Sequence, residues 1–335
     1  MIHSPGRRAA ALAFIAAALI IPRDSQPIAA QQPAPANALD VVEVTPNVHL
    51  IAGDGGNIVV QSGPDGVVLV DSGVGQRSTE VLAVIEDLTD TPIRYILNTS
   101  ADRARVGGNA TISAAGQALG GGGQGGNLIG GVRTGAGRVA HENVLLRMSQ
   151  TINGMPRFAE ATWPTEGFID RKELYLNGEA IQMLWQPAAH SNGDSIVVFR
   201  RSDVVVAGSL IDNERFPVID LEAGGSIQGL IDALNKIVEL AVPPTPLVWQ
   251  PGGTQIIPGN GRVLEEADVV EYRDMVTIVR DVVAEQIKQG MTLEQIRAAE
   301  PTLGYNTRYG ADSGEWTTRM FVEAVYASLT KGGAR

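Results

Sequence analysis

Asn98-Thr99-Ser100-Ala101-Asp102-Arg103-Ala104-Arg105-Val106-Gly107-Gly108-Asn109 is the stretch on which the reading of this chain turns. It follows Ile93 to Leu97, a run that reads as a buried strand, and it precedes Gly107 to Ala115, where a helix can start. A strand therefore delivers the chain to a polar turn, and Asp102 and Arg105 stand three residues apart within it, the spacing of an ion pair on one helical turn.

Working outward, the chain before this turn alternates β-rich runs with turn residues. Val48 to Ala52, Asn57 to Gln61 and Val67 to Val70 are separated by Gly53-Asp54-Gly55-Gly56 and Gly63-Pro64-Asp65-Gly66, a meander of short antiparallel strands. A helix follows at Ser78 to Leu88. Beyond the turn, Gly116 to Gly137 is glycine-rich; its backbone entropy makes it a poor helix or strand, and it lacks the Gly-Lys-Ser/Thr ending of a phosphate-binding loop. It reads as a surface loop, and His141 to Met148 as a helix. The second half repeats the order of strands and then helix. Leu174 to Leu176 and Ile181 to Trp185 flank Asn177-Gly178, a hairpin signal. Ser195 to Phe199 pairs with Val204 to Ala207, a helix spans Ser226 to Leu240, and Leu247 to Gln250 is a short strand. Glu265 to Gln289 and Glu315 to Leu329 are amphipathic helices joined by a short one near Leu293 to Ala298. Two packed sheets with helices outside are the expectation, in one domain over residues 39–335.

The frame of the opening stretch resembles the metallo-β-lactamase superfamily, whose signature is N-T-H-x-H-x-D-H-x-G-G-N. Other landmarks recur in order: Val68-Leu69-Val70-Asp71-Ser72-Gly73, Pro187-Ala188-Ala189-His190-Ser191-Asn192-Gly193-Asp194-Ser195, Val205-Val206-Ala207-Gly208-Ser209-Leu210 and Ile257-Pro258-Gly259-Asn260-Gly261. The resemblance covers Val41 to Gly261 and implies an α/β (α+β) fold of metallo-β-lactamase type, a four-layer αββα sandwich. Fold does not carry function with it. Ser100 and Asp102 stand where the family has its first two histidines, Ala104 where it has aspartate, Arg105 where it has a third histidine, Ser209 where a bridging aspartate belongs and Asn260 at the last histidine. His190 is retained, and Asp71 matches a position that supports the metals from beneath.

These substitutions set the chemistry expected. A dinuclear zinc site needs neutral imidazoles and carboxylates. Ser100, Ser209 and Asn260 are weak oxygen donors, Ala104 donates nothing, and a guanidinium within about 4 Å of a dication is repelled by several kcal/mol. No metal cofactor is expected, or at most one weakly bound zinc with His190 and Asp102 as residual ligands. The pocket is read as Ser100, Asp102, Ala104, Arg105, His190, Ser209, Asn260 and Asp71, with Arg105 and Asp102 spanning it through a salt bridge and hydrogen bonds to Ser100, Ser209 or Asn260. His190, oriented by Asp102, is the candidate catalytic base. Three readings follow: a non-hydrolytic or metal-independent binder of a small molecule, anionic if Arg105 receives it; an active hydrolase using a single atypical metal or metal-free chemistry; and a protein-interaction module acting through the glycine-rich loop or the C-terminal helices. Phe158, Trp163 and Phe168 fall between the halves, where the family places substrate-covering loops.

Composition narrows the partners. A net charge of -11 without clustered Lys and Arg argues against nucleic acid. Arg7 and Arg8 before the apolar run Ala9 to Ile21 read as an export signal, with cleavage after Ala30 or Ala38 and Pro22 to Ala38 as a linker; residues 1–38 are set apart from the domain on this ground. A periplasmic or secreted protein is expected, with no stable membrane span once the signal is removed; the alternative is an uncleaved anchor. With no cysteine there is no disulfide and no thiolate ligand.

Overall fold

Alternating burial along the strands sorts their side chains into separate cores, and those cores define the layers. The computed structural model describes residues 39–119, 135–245 and 252–332, which lie in one compact unit, residues 37–335. Strands β1 (Asp40–Thr45), β2 (Val48–Ala52), β3 (Ile58–Gln61), β4 (Val67–Val70), β5 (Ile93–Leu97), β6 (Gly137–His141) and β9 (Glu166–Phe168) form a seven-stranded sheet in the order β1-β2-β3-β4-β5-β6-β9. A small hairpin of β7 (Thr151–Ile152) and β8 (Met155–Pro156) stands apart. Strands β10 (Arg171–Leu176), β11 (Glu179–Trp185), β12 (Ser195–Phe199), β13 (Val204–Asp212) and β14 (Gln255–Asn260) form a five-stranded sheet in sequence order.

Between the sheets lie Val59, Val68, Val70, Leu97 and Val139 from one side and Ile181, Met183, Val197, Phe199 and Ile257 from the other. The alternate residues Ile58, Val60, Val67, Leu69 and Ile96 face outward and are covered by Val81 and Ile85 of α1 (Ser78–Leu88) and Ile112 of α3 (Asn109–Ala115). On the far side, Ile196, Val198, Val205 and Ile256 pack under α5 (Ile227–Leu240), α6 (Glu266–Lys288) and α9 (Thr318–Gly332). Strand β4 is apolar at every position because both of its faces are buried. The layers run helix, sheet, sheet, helix, as the sequence implies.

The remaining helices are α2 (Arg103–Val106), α4 (Glu142–Ser149), α7 (Leu293–Ala298) and α8 (Asn306–Tyr309). His141 ends β6 rather than belonging to α4; its Nδ1 accepts the backbone N–H of Asn143 at 3.2 Å and so caps the helix. Its ring stacks on Trp185 at 4.6 Å, which gives it a structural role. Phe168 is buried between the sheets, and Phe158 and Trp163 pack beside Val144 and Met148 of α4. The β-run predicted at Leu247 to Gln250, the export signal and most of the glycine-rich loop lie outside the described residues. No helix among the described residues is long and apolar enough to cross a membrane.

Parallel pairing fixes where the site forms. β4, β5, β6 and β9 are mutually parallel, as are β13 and β14. The carboxyl ends of β4, β5 and β14 deliver Asp71, Ser100 and Asn260 to one edge of the sandwich, where strand ends conventionally leave a crevice. Two bonds tie the sheets together there: Ser195 N–H donates to Thr99 O at 2.8 Å, and Asn57 N–H to Gly259 O at 2.8 Å.

Candidate functional site

The turn after β5 is built around one carbonyl. Arg105 O accepts from Asn98 Nδ2 at 2.8 Å, Ser72 Oγ at 3.1 Å and Ser72 N–H at 3.0 Å. Asn98 and Asn109 exchange side-chain hydrogen bonds at 2.8 and 3.1 Å, so the two asparagines that frame the quoted stretch hold it closed. This fastening fixes the direction of α2 and aims the Arg105 side chain inward, where it is 3% exposed.

Arg105 lies in a cradle made by two glycines. A Cβ on Gly259 would collide with Nη2 of Arg105, and one on Gly56 would come within 2.8 Å of Nη1. Nη1 donates to Gly259 O at 3.0 Å and Nε to Ser209 Oγ at 3.1 Å. Nε also stands 3.7 Å from Asp71 Oδ2. Asp71, at a left-handed φ of 64° that a short polar side chain tolerates, accepts Thr99 N–H at 2.8 Å and Thr99 Oγ at 2.7 Å. Burial pushes its pKa up to about 7, against the opposing pull of Arg105 and the Thr99 hydrogen bonds. Asp71 thus orients both Arg105 and the backbone of the turn.

The ion pair expected between Arg105 and Asp102 is replaced by a different connection. Ser209 Oγ donates to Asp102 Oδ2 at 2.5 Å while receiving Nε of Arg105, so one hydroxyl links the two charges. Ser100 Oγ donates to Asp102 Oδ2 at 2.9 Å and lies 3.1 Å from Ser209 Oγ. The reason is geometric: Arg105 is turned down toward Asp71 and Gly259. Asp102, with its side chain 37% exposed, faces the crevice and His190, whose Nε2 stands 3.6 Å from Asp102 Oδ2. Asn260 does not reach this cluster either, since its Nδ2 donates to Asp212 Oδ2 at 2.9 Å. Ala104 presents its methyl group toward Gly56.

His190 is held between two carboxylates. Nδ1 lies 3.1 Å from Asp194 Oδ1, and Asp194 also accepts Ser191 N–H at 2.5 Å and Ser191 Oγ at 3.0 Å. Burial works against a charged ring, but Asp102 and Asp194 outweigh it and raise the pKa to about 9. Burial likewise works against ionised Asp102, yet His190, the Ser209 hydroxyl and Arg105 hold its pKa below the ordinary carboxylate value. At neutral pH the pair is therefore imidazolium and carboxylate. A ring already protonated serves as a fixed cation or an acid, whereas the base role needs it neutral.

Beside Asp102 opens a cavity of about 140 Å³ bordered by Arg103, Arg147, Arg157, Phe158, Ser191 and Asp220 among others. Arg147 pairs with Asp220 at 3.1 Å. Neither Arg103 nor Arg157 has a side-chain partner among the described residues. The three arginines against Asp102 and Asp220 leave a local excess of positive charge on a chain whose net charge is -11. Sequence reasoning missed Arg147, Arg157, Asp194 and Asp220 as site residues. Asp194 was visible in the His190 segment, and Arg103 in the opening stretch; Arg157 and Asp220 carry no local signal because the fold alone brings them to this mouth. Among the described residues no group of three or more His, Cys, Asp or Glu is placed to hold a metal ion.

No family model matches the sequence, and no curated protein matches it. Solved structures do. A metallo-beta-lactamase from Pontibacter korlensis is similar with a TM-score of 0.53 at 14% identity, over 71% of this chain and 99% of that one. A stereoselective inverting sec-alkylsulfatase from Pseudomonas sp. is similar with a TM-score of 0.57 at 14% identity over 86% of this chain. A double mutant of a sec-alkyl sulfatase gives 0.60 at 15% identity, also over 86%. This chain spans 50% of the length of either alkylsulfatase chain. The layer order, the strand-end crevice and these likenesses agree: the chain has the metallo-β-lactamase superfamily fold.

Proposed function

We propose that this protein binds a small anionic molecule without metal-dependent hydrolysis, and that Arg105 and protonated His190 supply inside the crevice the positive charge that metal ions supply in its catalytic relatives. The donor set at the positions equivalent to the family's ligands supports this. Ser209 and Ser100 are engaged with Asp102, Asn260 is turned to Asp212, and the guanidinium fills the space between Gly56 and Gly259. These residues do not fit a dinuclear zinc site. The metal site is in this sense degenerate.

The observation that carries the ligand assignment is the cavity beside Asp102, with Arg103 and Arg157 at its border and no side-chain partner for either among the described residues. Guanidinium forks match carboxylate, sulfate and phosphate oxygens bidentately. One of the similar structures is a sec-alkylsulfatase, an enzyme named for an anionic sulfate ester. The hydrolytic alternative needs an activated water. His190 flanked by Asp102 and Asp194 is a poor base for that purpose.

The test is calorimetric titration of the purified protein with acetate, sulfate and phosphate at low ionic strength, beside Arg103→Gln and Arg157→Gln. Each variant should weaken binding by about tenfold, the worth of one charge-assisted hydrogen bond. Equal affinity in all three proteins would overturn the assignment of the pocket.

A further inference from the structure

Two carboxylates border the cavity, and their oxygens are not alike. Asp220 is engaged on both sides: Oδ2 receives Arg147 Nη2 at 3.1 Å, and Oδ1 accepts Glu222 N–H at 3.1 Å and Ala223 N–H at 2.9 Å. Asp102 is engaged on one side only. Its Oδ2 takes the hydroxyls of Ser209 and Ser100 and faces His190, while its Oδ1 has no partner among the described residues. Asp102 is also the N-cap residue of α2, yet its side chain makes no capping bond, so Oδ1 does not turn back to the helix. With its side chain 37% exposed, Asp102 leaves one acceptor oxygen at the cavity that Arg103 and Arg157 also border.

A carboxylate can only accept hydrogen bonds. An anion without a proton, held by the guanidiniums, would displace water from Oδ1, offer it no donor and repel it. An anion that carries its own O–H satisfies the arginines and Asp102 together. We infer that the cavity takes hydrogen phosphate and that Asp102 selects it over sulfate, Oδ1 accepting the O–H while Arg103 and Arg157 hold the other oxygens. This rests on the anion-binding reading of the pocket and adds which anion enters. Shape agrees with the donor count. One guanidinium fork satisfies both oxygens of a carboxylate, whereas two forks match the remaining oxygens of a tetrahedral anion. The volume of about 140 Å³ suits a compact anion, being equal to about five water molecules' share of the liquid. The anion is held without cleavage; no bond forms or breaks in this step.

The test is calorimetry at pH 8 and low ionic strength with phosphate, sulfate and methyl phosphate, on the full protein, on Asp102→Asn and on Arg157→Gln. At that pH all three are tetrahedral dianions, and inorganic phosphate alone keeps an O–H. The parent should bind phosphate at least about tenfold more tightly than sulfate, the worth of one charge-assisted hydrogen bond, with methyl phosphate no better than sulfate. In Asp102→Asn the amide oxygen keeps the Ser209 and Ser100 hydroxyls, so Nδ2 takes the place of Oδ1 and becomes a donor. The phosphate preference should then collapse, sulfate gaining the most. Loss of a negative charge by itself would tighten all three anions alike, so the ratio is the readout that separates selection from simple electrostatics. Arg157→Gln should weaken all three and keep the ratio. If the parent binds phosphate and sulfate equally while Arg157→Gln still weakens both, the selection fails and the anion pocket stands. If Arg157→Gln changes nothing, the pocket reading itself fails. Methyl phosphate binding as tightly as phosphate would overturn the role of the proton without recourse to any variant, and a preference that survives in Asp102→Asn would overturn its assignment to Asp102.

Discussion

Replacing Arg105 by Met removes the guanidinium while keeping an unbranched stem of similar shape. The structure sets the size of the loss. Nε and Nη1 give up hydrogen bonds to Ser209 Oγ at 3.1 Å and Gly259 O at 3.0 Å, and Asp71, buried, loses the cation 3.7 Å away. Breaking one side of a buried pair costs about 3–5 kcal/mol where the remaining charge must stay ionised, and less where it can protonate, as Asp71 can. Asp71 already has a pKa raised to about 7 with Arg105 pulling it down, so without Arg105 it rises further. A carboxyl whose folded pKa lies above its unfolded value binds more protons when folded; parent and variant share that loss of stability from about pH 4 to 7, and the variant's additional loss appears as pH rises above about 7. Urea unfolding should therefore show a deficit of about 2–3 kcal/mol at pH 8, about 1–2 for the hydrogen bonds and about 1.4 for keeping Asp71 protonated one pH unit above 7. At pH 5, where Asp71 is neutral, it should shrink to about 1–2 kcal/mol, the worth of the lost hydrogen bonds. Asp71→Asn added to Arg105→Met should remove the excess at pH 8 over pH 5 and leave the hydrogen-bond loss. A deficit that is the same at both pH values, or below about 1 kcal/mol at pH 8, would refute the picture of a cation buried against Asp71.

Other outcomes follow from the same contacts. His190 has a folded pKa of about 9, above the ordinary 6.5, so its contribution is fully present below pH 6.5 and is lost as pH rises through 9. Unfolding free energy should fall between pH 7 and 9 by on the order of 2 kcal/mol, and His190→Gln should abolish that slope. The Asp71 window lies mainly below pH 7 and so does not obscure it. Ser209→Ala removes the hydroxyl shared by Arg105 and Asp102 and should cost about 1–3 kcal/mol in denaturant unfolding. An unchanged midpoint would show that the hydroxyl bridge carries no energy. Gly259→Ala drives a methyl group into the guanidinium and against the Gly208 carbonyl and should destabilise by more than about 1 kcal/mol, with Arg105→Met relieving only the guanidinium part in the double variant. Strict additivity of the two would place Arg105 elsewhere.

The legible part of the fold was local. The short apolar runs of β2, β3 and β4, the Asn177-Gly178 turn and the single apolar stripe of α5 were each readable from the sequence as buried or turning segments. Boundaries slipped where caps decide them: His141 was read into α4, and the start of α9 was placed at Glu315 rather than Thr318. The site was legible as a set of positions but not as a set of contacts. Sequence spacing joined Asp102 to Arg105, since i and i+3 meet on a helix, but α2 is a single short turn and Asp102 is its extended N-cap residue. Tertiary partners, Gly259 O from β14 and Ser209 from β13, then drew Arg105 away. Asn260 was assigned inward on the frame alone, and the Asp212 carboxylate, in register with it across β13 and β14, took its amide instead. The arginines at the mouth come from α2, α4 and the segment after the hairpin, a convergence that no single stretch of sequence encodes.

In the proposed function, side-chain cations rather than metal ions occupy this crevice. It is tested most directly by elemental mass spectrometry of the protein purified without chelator, then loaded with zinc and desalted. Far less than one zinc per chain is expected, unchanged in His190→Gln. Retention of about one or two zinc ions per chain, lost in His190→Gln, would contradict it and would make the crevice a working metal centre.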